Sequence, residues 1–147
     1  MYSNLLVPID GGALSDKAIA GSIALAQQLG AAITGFVAEP SLPLPAVGRP
    51  AHLVERELAL HDDRTASHAH DLLGRFERCA RDAGVRFSGH HVQSAFVDTA
   101  ILDAAREHGC DLIVMTTHRR GLLGELLHGA CTKAVLARSP VPLLVLH

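Results

Sequence analysis

Cys110-Asp111-Leu112-Ile113-Val114-Met115-Thr116 is the stretch on which the fold turns. Its apolar run is too short for a helix and has no polar alternation, so it predicts a strand buried on both faces. Just upstream, Val97 to His108 puts Ala100, Ile101, Ala104 and Ala105 on one side and stops at Gly109, the spacing and terminator of an amphipathic helix. Downstream, a helix over about Gly129 to Ala137 carries Ala130, Cys131, Ala134 and Val135 in the i, i+4 pattern, and Ser139-Pro140 breaks it before the strand Val141 to Leu146. A helix feeding a central strand is therefore the repeating unit.

The first half of the chain repeats the alternation. Asn4 to Ile9 reads as a strand because Leu5-Leu6-Val7 ends at Pro8 and the turn signal Asp10-Gly11-Gly12. Ser15 to Leu29 reads as a helix, with Ile19, Ile23 and Ala26 at helical spacing, Ser15 or Asp16 as its cap and Gly30 as its stop. Ala31 to Ala38 follows as a strand. Prolines cluster between Pro40 and Pro50, so residues 40–52 are expected to form an exposed loop. Val54 to Ala83 has no proline and predicts a long helix. Val85 to Val92 alternates through Val85, Phe87, Gly89 and His91, as a half-buried edge strand does. Strands and helices in strict alternation imply right-handed crossovers and a parallel sheet covered on both faces. The class is α/β, a three-layer Rossmann-like sandwich of five strands and four helices, expected to be one domain over residues 1–147. Ligands of such sheets sit at the carboxyl ends of the strands, which nominates Asp10 to Gly12, Ala38 to Glu39 and Thr116 onward.

Composition excludes several classes. A net charge of -2 gives no electrostatic footprint for nucleic acid or an anionic membrane, and 3% aromatic residues leave few rings for stacking on bases. No apolar run approaches the roughly 18 residues that cross a bilayer. The opening Met-Tyr-Ser-Asn-Leu-Leu has neither a basic n-region nor a cleavage site, so a cytoplasmic protein is expected. Cys79, Cys110 and Cys131 have no CxxC spacing and read as reduced, mostly buried thiols.

Three segments together resemble the universal stress protein family: Leu5-Leu6-Val7-Pro8-Ile9-Asp10-Gly11, Asp111-Leu112-Ile113-Val114-Met115-Thr116-Thr117-His118, and Val135 through Pro140 to Val145. The resemblance implies strand order 3-2-1-4-5. It also implies a homodimer through the last strand, with Val141, Pro142, Leu143, Leu144, Val145 and Leu146 at the interface. Covering that edge would remove an aggregation hazard, and Pro142 costs the ladder one donor.

One branch of that family binds ATP through GxxGx₉G followed by Ser or Thr. Glycines let backbone approach the phosphates, and a helix N-terminus supplies free N–H groups. In this chain the four positions are Thr116, Arg119, Gly129 and Ala130, so only the third keeps its glycine. Ala130 has no hydroxyl to donate, and β-branched Thr116 resists positive φ. Arg119 either fills the phosphate volume or clamps phosphate together with Arg120. The resemblance carries the remaining nucleotide contacts to Pro8, Ile9, Asp10, Val37, Met115, His118, Cys131 and Thr132, with the backbone of Val37 meeting adenine.

Other chemistry reads more weakly. His61, His68 and His70 lack zinc spacing and are expected on a solvated helix face, while His90 and His91 point to opposite faces of a strand. His118 reads as a turn residue. Cys131, placed at a helix N-terminus, is expected to pack rather than react. Asp10 with Asp16 could hold Mg²⁺ beside phosphates, or Asp10 serves only the turn. No nucleophile, base and orienting group assemble. The expectation is a non-enzymatic homodimeric stress-response or regulatory domain with a degenerate nucleotide cleft and no resident metal. The alternatives are an ATP-binding, Mg²⁺-dependent switch or very slow ATPase, and a small α/β enzyme.

Overall fold

The computed structural model describes residues 1–41, 47–117 and 125–147, and for 125–129 the helical backbone alone. Five strands, β1 (Asn4–Pro8), β2 (Ala32–Glu39), β3 (Phe87–Gln93), β4 (Leu112–Thr116) and β5 (Leu143–Leu146), alternate with four helices, α1 (Ser15–Leu29), α2 (Ala51–Asp82), α3 (Val97–Glu107) and α4 (Glu125–Arg138). The strands form one sheet of order β3-β2-β1-β4-β5, and every pairing is parallel. β1 sits at the centre, with Leu5 opposite both Ile33 of β2 and Leu112 of β4.

The twofold alternation of side chains along each strand divides the core into two layers. Leu5, Val7, Ile33, Val37, Leu112 and Val114 pack with α1 and α2, while Leu6, Phe36, Ile113 and Met115 pack with α3 and the second half of α4. Residues adjacent in sequence thus enter opposite layers, which is why the strands read as continuous apolar runs. On the first layer Phe76 of α2 meets Phe87 of β3, ring centroids 4.8 Å apart. Both rings crowd Gly35 of β2, where an added Cβ would lie 2.6 Å from one Phe87 atom and 3.2 Å from one of Phe76.

Several boundaries differ from those the sequence predicts. α2 starts at Ala51, directly after its N-cap Pro50, so the expected loop over 40–52 loses its last two residues to the helix. Proline is tolerated at such a start because its missing N–H has no intrahelical partner there. Residues 42–46 of that connection lie outside the described residues. β3 starts at Phe87 because Val85 donates its N–H to Ala80 O at 2.8 Å, closing the end of α2. Neither Ser15 nor Asp16 caps α1: the N-cap is Leu14, with no side-chain bond. Cys110 is buried and Cys131 half-buried, but Cys79 is exposed on α2, against the expectation of a mostly buried set.

α2 is the longest element, 32 residues or about 48 Å at 1.5 Å per residue. The eight residues of β2 span only about 26 Å. Buried positions on α2 begin at Ala69, so its first half overhangs the carboxyl ends of the strands. Among the described residues no helix is long and apolar enough to cross a membrane.

Candidate functional site

The carboxyl ends of β1 and β4 flank the point where strand order reverses, and the turn after β1 forms one wall of the cleft. Gly11 there adopts φ +80, a conformation glycine takes without strain. Its N–H donates to Ser15 Oγ at 2.9 Å, while Gly12 N–H donates to Asp10 Oδ1 at 2.8 Å. Ser15, 3% exposed, therefore braces the turn instead of capping the helix. These amides and the Asp10 carboxylate are used within the turn, so this wall is a braced turn and not an anion-binding cradle. Asp16 points elsewhere, its Oδ1 2.9 Å from Arg75 of α2, and does not join Asp10 in a cation site. Among the described residues no group of three His, Cys, Asp or Glu side chains could hold a metal ion.

Pro8, half-buried, and Ile9, nearly fully buried, lead into this turn, with Ile9 N–H bonded to Phe36 O at 2.9 Å. Val37 is 1% exposed, and because Phe36 O accepts from Ile9 N–H while Glu39 O accepts from Ser94 N–H, the alternation of β2 turns the Val37 backbone groups toward β3 rather than into the cleft. Met115 is buried and Thr116 half-buried at the end of β4. Beyond it, Thr117 N–H donates to Leu146 O at 3.0 Å, and Thr117 Oγ1 lies 3.3 Å from His147 Nδ1. His118, Arg119 and Arg120 lie outside the described residues.

α4 corrects the expected phosphate end. The sequence reading starts the helix at Gly129, but α4 begins at Glu125, so Gly129 is its fifth residue and the free N–H groups of a first turn belong to earlier positions. Ala130 is exposed and Cys131 half-buried against the layer containing Ile113. Burial, and secondly the Asp98 carboxylate, pushes the Cys131 thiol above its usual range, so it packs and is not activated by a helix dipole. Thr132 is half-buried on the same helix.

The structure adds a pair that the sequence does not single out. Glu39, at the end of β2, and His68, on α2, meet at 2.8 Å through Oε1 and Nδ1. His68 lies directly over Gly11: its Nε2 and Cε1 are 2.7 and 2.9 Å from the point that a Cβ on Gly11 would occupy. The signal was available in the helical period, since His68 precedes buried Ala69 by one position and Leu72 by four. Its neighbour His61 contacts Pro40 O at 3.1 Å. His90 and His91 do face opposite ways: His90 stacks on His108 at 3.8 Å, while His91 lines a groove of about 210 Å³ with Glu39, Asp62 and Gln93.

At the far edge, β5 pairs with β4 by register Ile113↔Leu143 to Thr116↔Leu146. Pro142 O accepts from Ile113 N–H and Leu146 O from Thr117 N–H, each at 3.0 Å. Even-numbered backbone groups thus face β4, and by alternation those of Leu143 and Val145 face outward. The donor Pro142 lacks is on the inner ladder, not on the free edge. Leu144 is 36% exposed, and Val141 and Leu143 pack into the second layer.

A family model described as "Universal stress protein family" matches residues 1–147. Among solved structures, the universal stress protein UspA from Lactobacillus plantarum is 20% identical with a TM-score of 0.82, covering 99% of this chain and 98% of that one. A universal stress protein in complex with cAMP is 20% identical with a TM-score of 0.71, covering 99% and 97%. A universal stress protein from Archaeoglobus fulgidus in complex with dAMP is 16% identical with a TM-score of 0.66, covering 99% and 98%. Identities at this level establish the shared fold and no more. No curated protein matches the chain.

Proposed function

This chain belongs to the universal stress protein family, whose model matches residues 1–147, and on that premise we propose that it is a non-enzymatic, homodimeric regulatory domain of the cytoplasm whose nucleotide cleft is retuned away from ATP. The observation that carries the reading is the mismatch between the two ends of the cleft. At one end Pro8, Ile9, Asp10 and Met115 present the ordered strand ends on which an adenosine can rest. At the other, Thr116, Arg119 and Ala130 replace the signature groups, and Gly129 lies inside α4. Backbone approach, free N–H groups and a hydroxyl are what a triphosphate needs; the first and last are diminished, and the N–H groups belong to positions ahead of Gly129.

An adenine mononucleotide, with a single phosphate to satisfy, is the ligand class that suits what remains. Two structures of the same fold are complexes of this kind, with cAMP and with dAMP. Arg119, Arg120 and His118 are the candidate partners for that phosphate. Dimerisation through β5 is supported by its outward-facing Leu143 and Val145 backbone groups and by exposed Leu144. Such a domain would signal by binding, with no reaction of its own.

Thermal unfolding with and without Mg-ATP tests the reading. A ligand present at about 100 times its dissociation constant adds roughly 2.7 kcal/mol of stability. The expected gain with millimolar Mg-ATP is a small fraction of that. A gain of the full size would overturn the retuned cleft and favour an ATP-dependent switch.

A further inference from the structure

The pair over Gly11 has a geometry that a simple surface contact does not need. Glu39 ends β2, and its side chain is 14% exposed, held in place among the strand ends. The side chain of His68 is 52% exposed and reaches back from α2 to the Glu39 carboxylate. Its ring rests on the backbone of Gly11, with Leu72 the next atom group at 3.6 Å from the same point. A methyl group on Gly11 would collide with that ring, so the turn and the histidine fit only because the residue is glycine. The rest of the ring is open to solvent, its side chain being 52% exposed. One half of the pair is thus anchored and the other is free to rotate into solvent.

The ring also occupies a particular place. It bridges the ends of β1 and β2, between Gly11 and Glu39, on the turn that walls the cleft after β1. We infer that His68, pinned by Glu39, is a gate over the base end of the cleft, and that an adenine mononucleotide gains full access only when the ring swings off Gly11. The inference rests on the nucleotide reading above and assigns a regulatory element within it. The group that moves is a single side chain, so the helix and the sheet keep their packing. An exposed hydrogen-bonded pair of this kind favours its closed geometry by a factor of roughly two to five, and apparent affinity scales with the open fraction, roughly one third to one sixth.

The test uses AMP as the probe, titrated into the whole, isotopically labelled chain while the amide signals of Gly11 and Gly12 are followed by NMR, which reads dissociation constants into the millimolar range. His68→Ala removes the gate, and His70→Ala alters a neighbouring exposed histidine on the same helix. The expected result is AMP affinity about three to six times higher in the His68 variant than in the native chain, with the His70 variant unchanged. Equal or weaker binding by the His68 variant overturns the gate, since a histidine that contacts the ligand would lose affinity on removal. An equal gain in the His70 variant, or no response of Gly11 and Gly12 in any of the three proteins, overturns it as well. The ATP reading is judged separately: a large Mg-ATP melting shift in the native chain sinks the retuned cradle and leaves the AMP comparison to decide the gate.

Discussion

Replacing Gly35 by Ala should destabilise the protein by an amount that the Phe76 and Phe87 rings determine. Gly35 does not have a positive φ, so alanine meets no backbone strain, and the cost is steric. The new Cβ would sit 2.6 and 2.7 Å from two Phe87 atoms and 3.2 Å from one Phe76 atom. Carbon atoms pack best at roughly 3.5–4.0 Å, so two contacts are short by about 1 Å. Phe76 is fully buried and cannot retreat, which leaves Phe87 to tilt away from its partner. Overpacking of this sort costs about 1–3 kcal/mol, and the reduced entropy of the unfolded chain returns about 0.4–1 kcal/mol. At the middle of those ranges the net loss is about 1.3 kcal/mol, or roughly 3–5 °C in melting temperature for a domain near this size. Urea unfolding of Gly35→Ala, Phe87→Leu and the double variant measures it. The leucine removes the colliding ring atoms, so the alanine should cost at least about 1 kcal/mol less in that background. An alanine that is neutral in the native background, or equally costly in both, would refute the packing of α2 on β2. That packing also carries His68 to Gly11, two turns further up the helix.

Three other outcomes follow from the same structure. Asp111 is partly desolvated, which alone would raise its pKa, but Ser3 Oγ and the N–H groups of Ser3 and Asn4 donate to it and hold it below the usual carboxylate value. A carboxyl depressed in the folded state contributes stability above its unfolded pKa of about 3.9 and loses it as pH falls through the folded value. Asp111→Asn should therefore melt lower than the native chain at neutral pH, by about 1 kcal/mol after solvent screening, with the gap closing below about pH 4 in a pH series of melting curves. Val145→Pro removes an outward donor of β5 without touching the ladder to β4, and analytical ultracentrifugation should find folded monomer; a persistent dimer would move the interface elsewhere. Restoring the signature with Thr116→Gly, Arg119→Gly and Ala130→Ser together should raise Mg-ATP affinity at least about tenfold by calorimetry, whereas no gain would contradict a cleft retuned at these positions.

The sheet was legible because it rests on patterns local to each strand. Leu5-Leu6-Val7 and Leu112-Ile113-Val114-Met115 are continuous apolar runs, and a strand covered on both faces must look like that. Helix starts were less legible. Pro50 ahead of α2 reads as loop by composition and serves as an N-cap in the structure, while α4 gathers a first turn from residues 125–128 that carries no cap signal. The cleft was half legible. Asp10, Val37 and Met115 come from strand ends, and a strand end is visible as the place where an apolar run stops. The Glu39–His68 pair joins residues 29 positions apart: the helical period places His68 on the inner side of α2 beside Ala69 and Leu72, but the meeting with Glu39 depends on how far α2 overhangs the sheet.

The retuned cleft is tested most directly by calorimetric titration of the same preparation with AMP and with Mg-ATP. The account predicts that AMP binds at least as tightly as Mg-ATP, because the residues beyond the first phosphate add nothing. Mg-ATP binding tenfold tighter or more, which would credit the extra phosphates with about 1.4 kcal/mol, or no binding of either nucleotide, would contradict it.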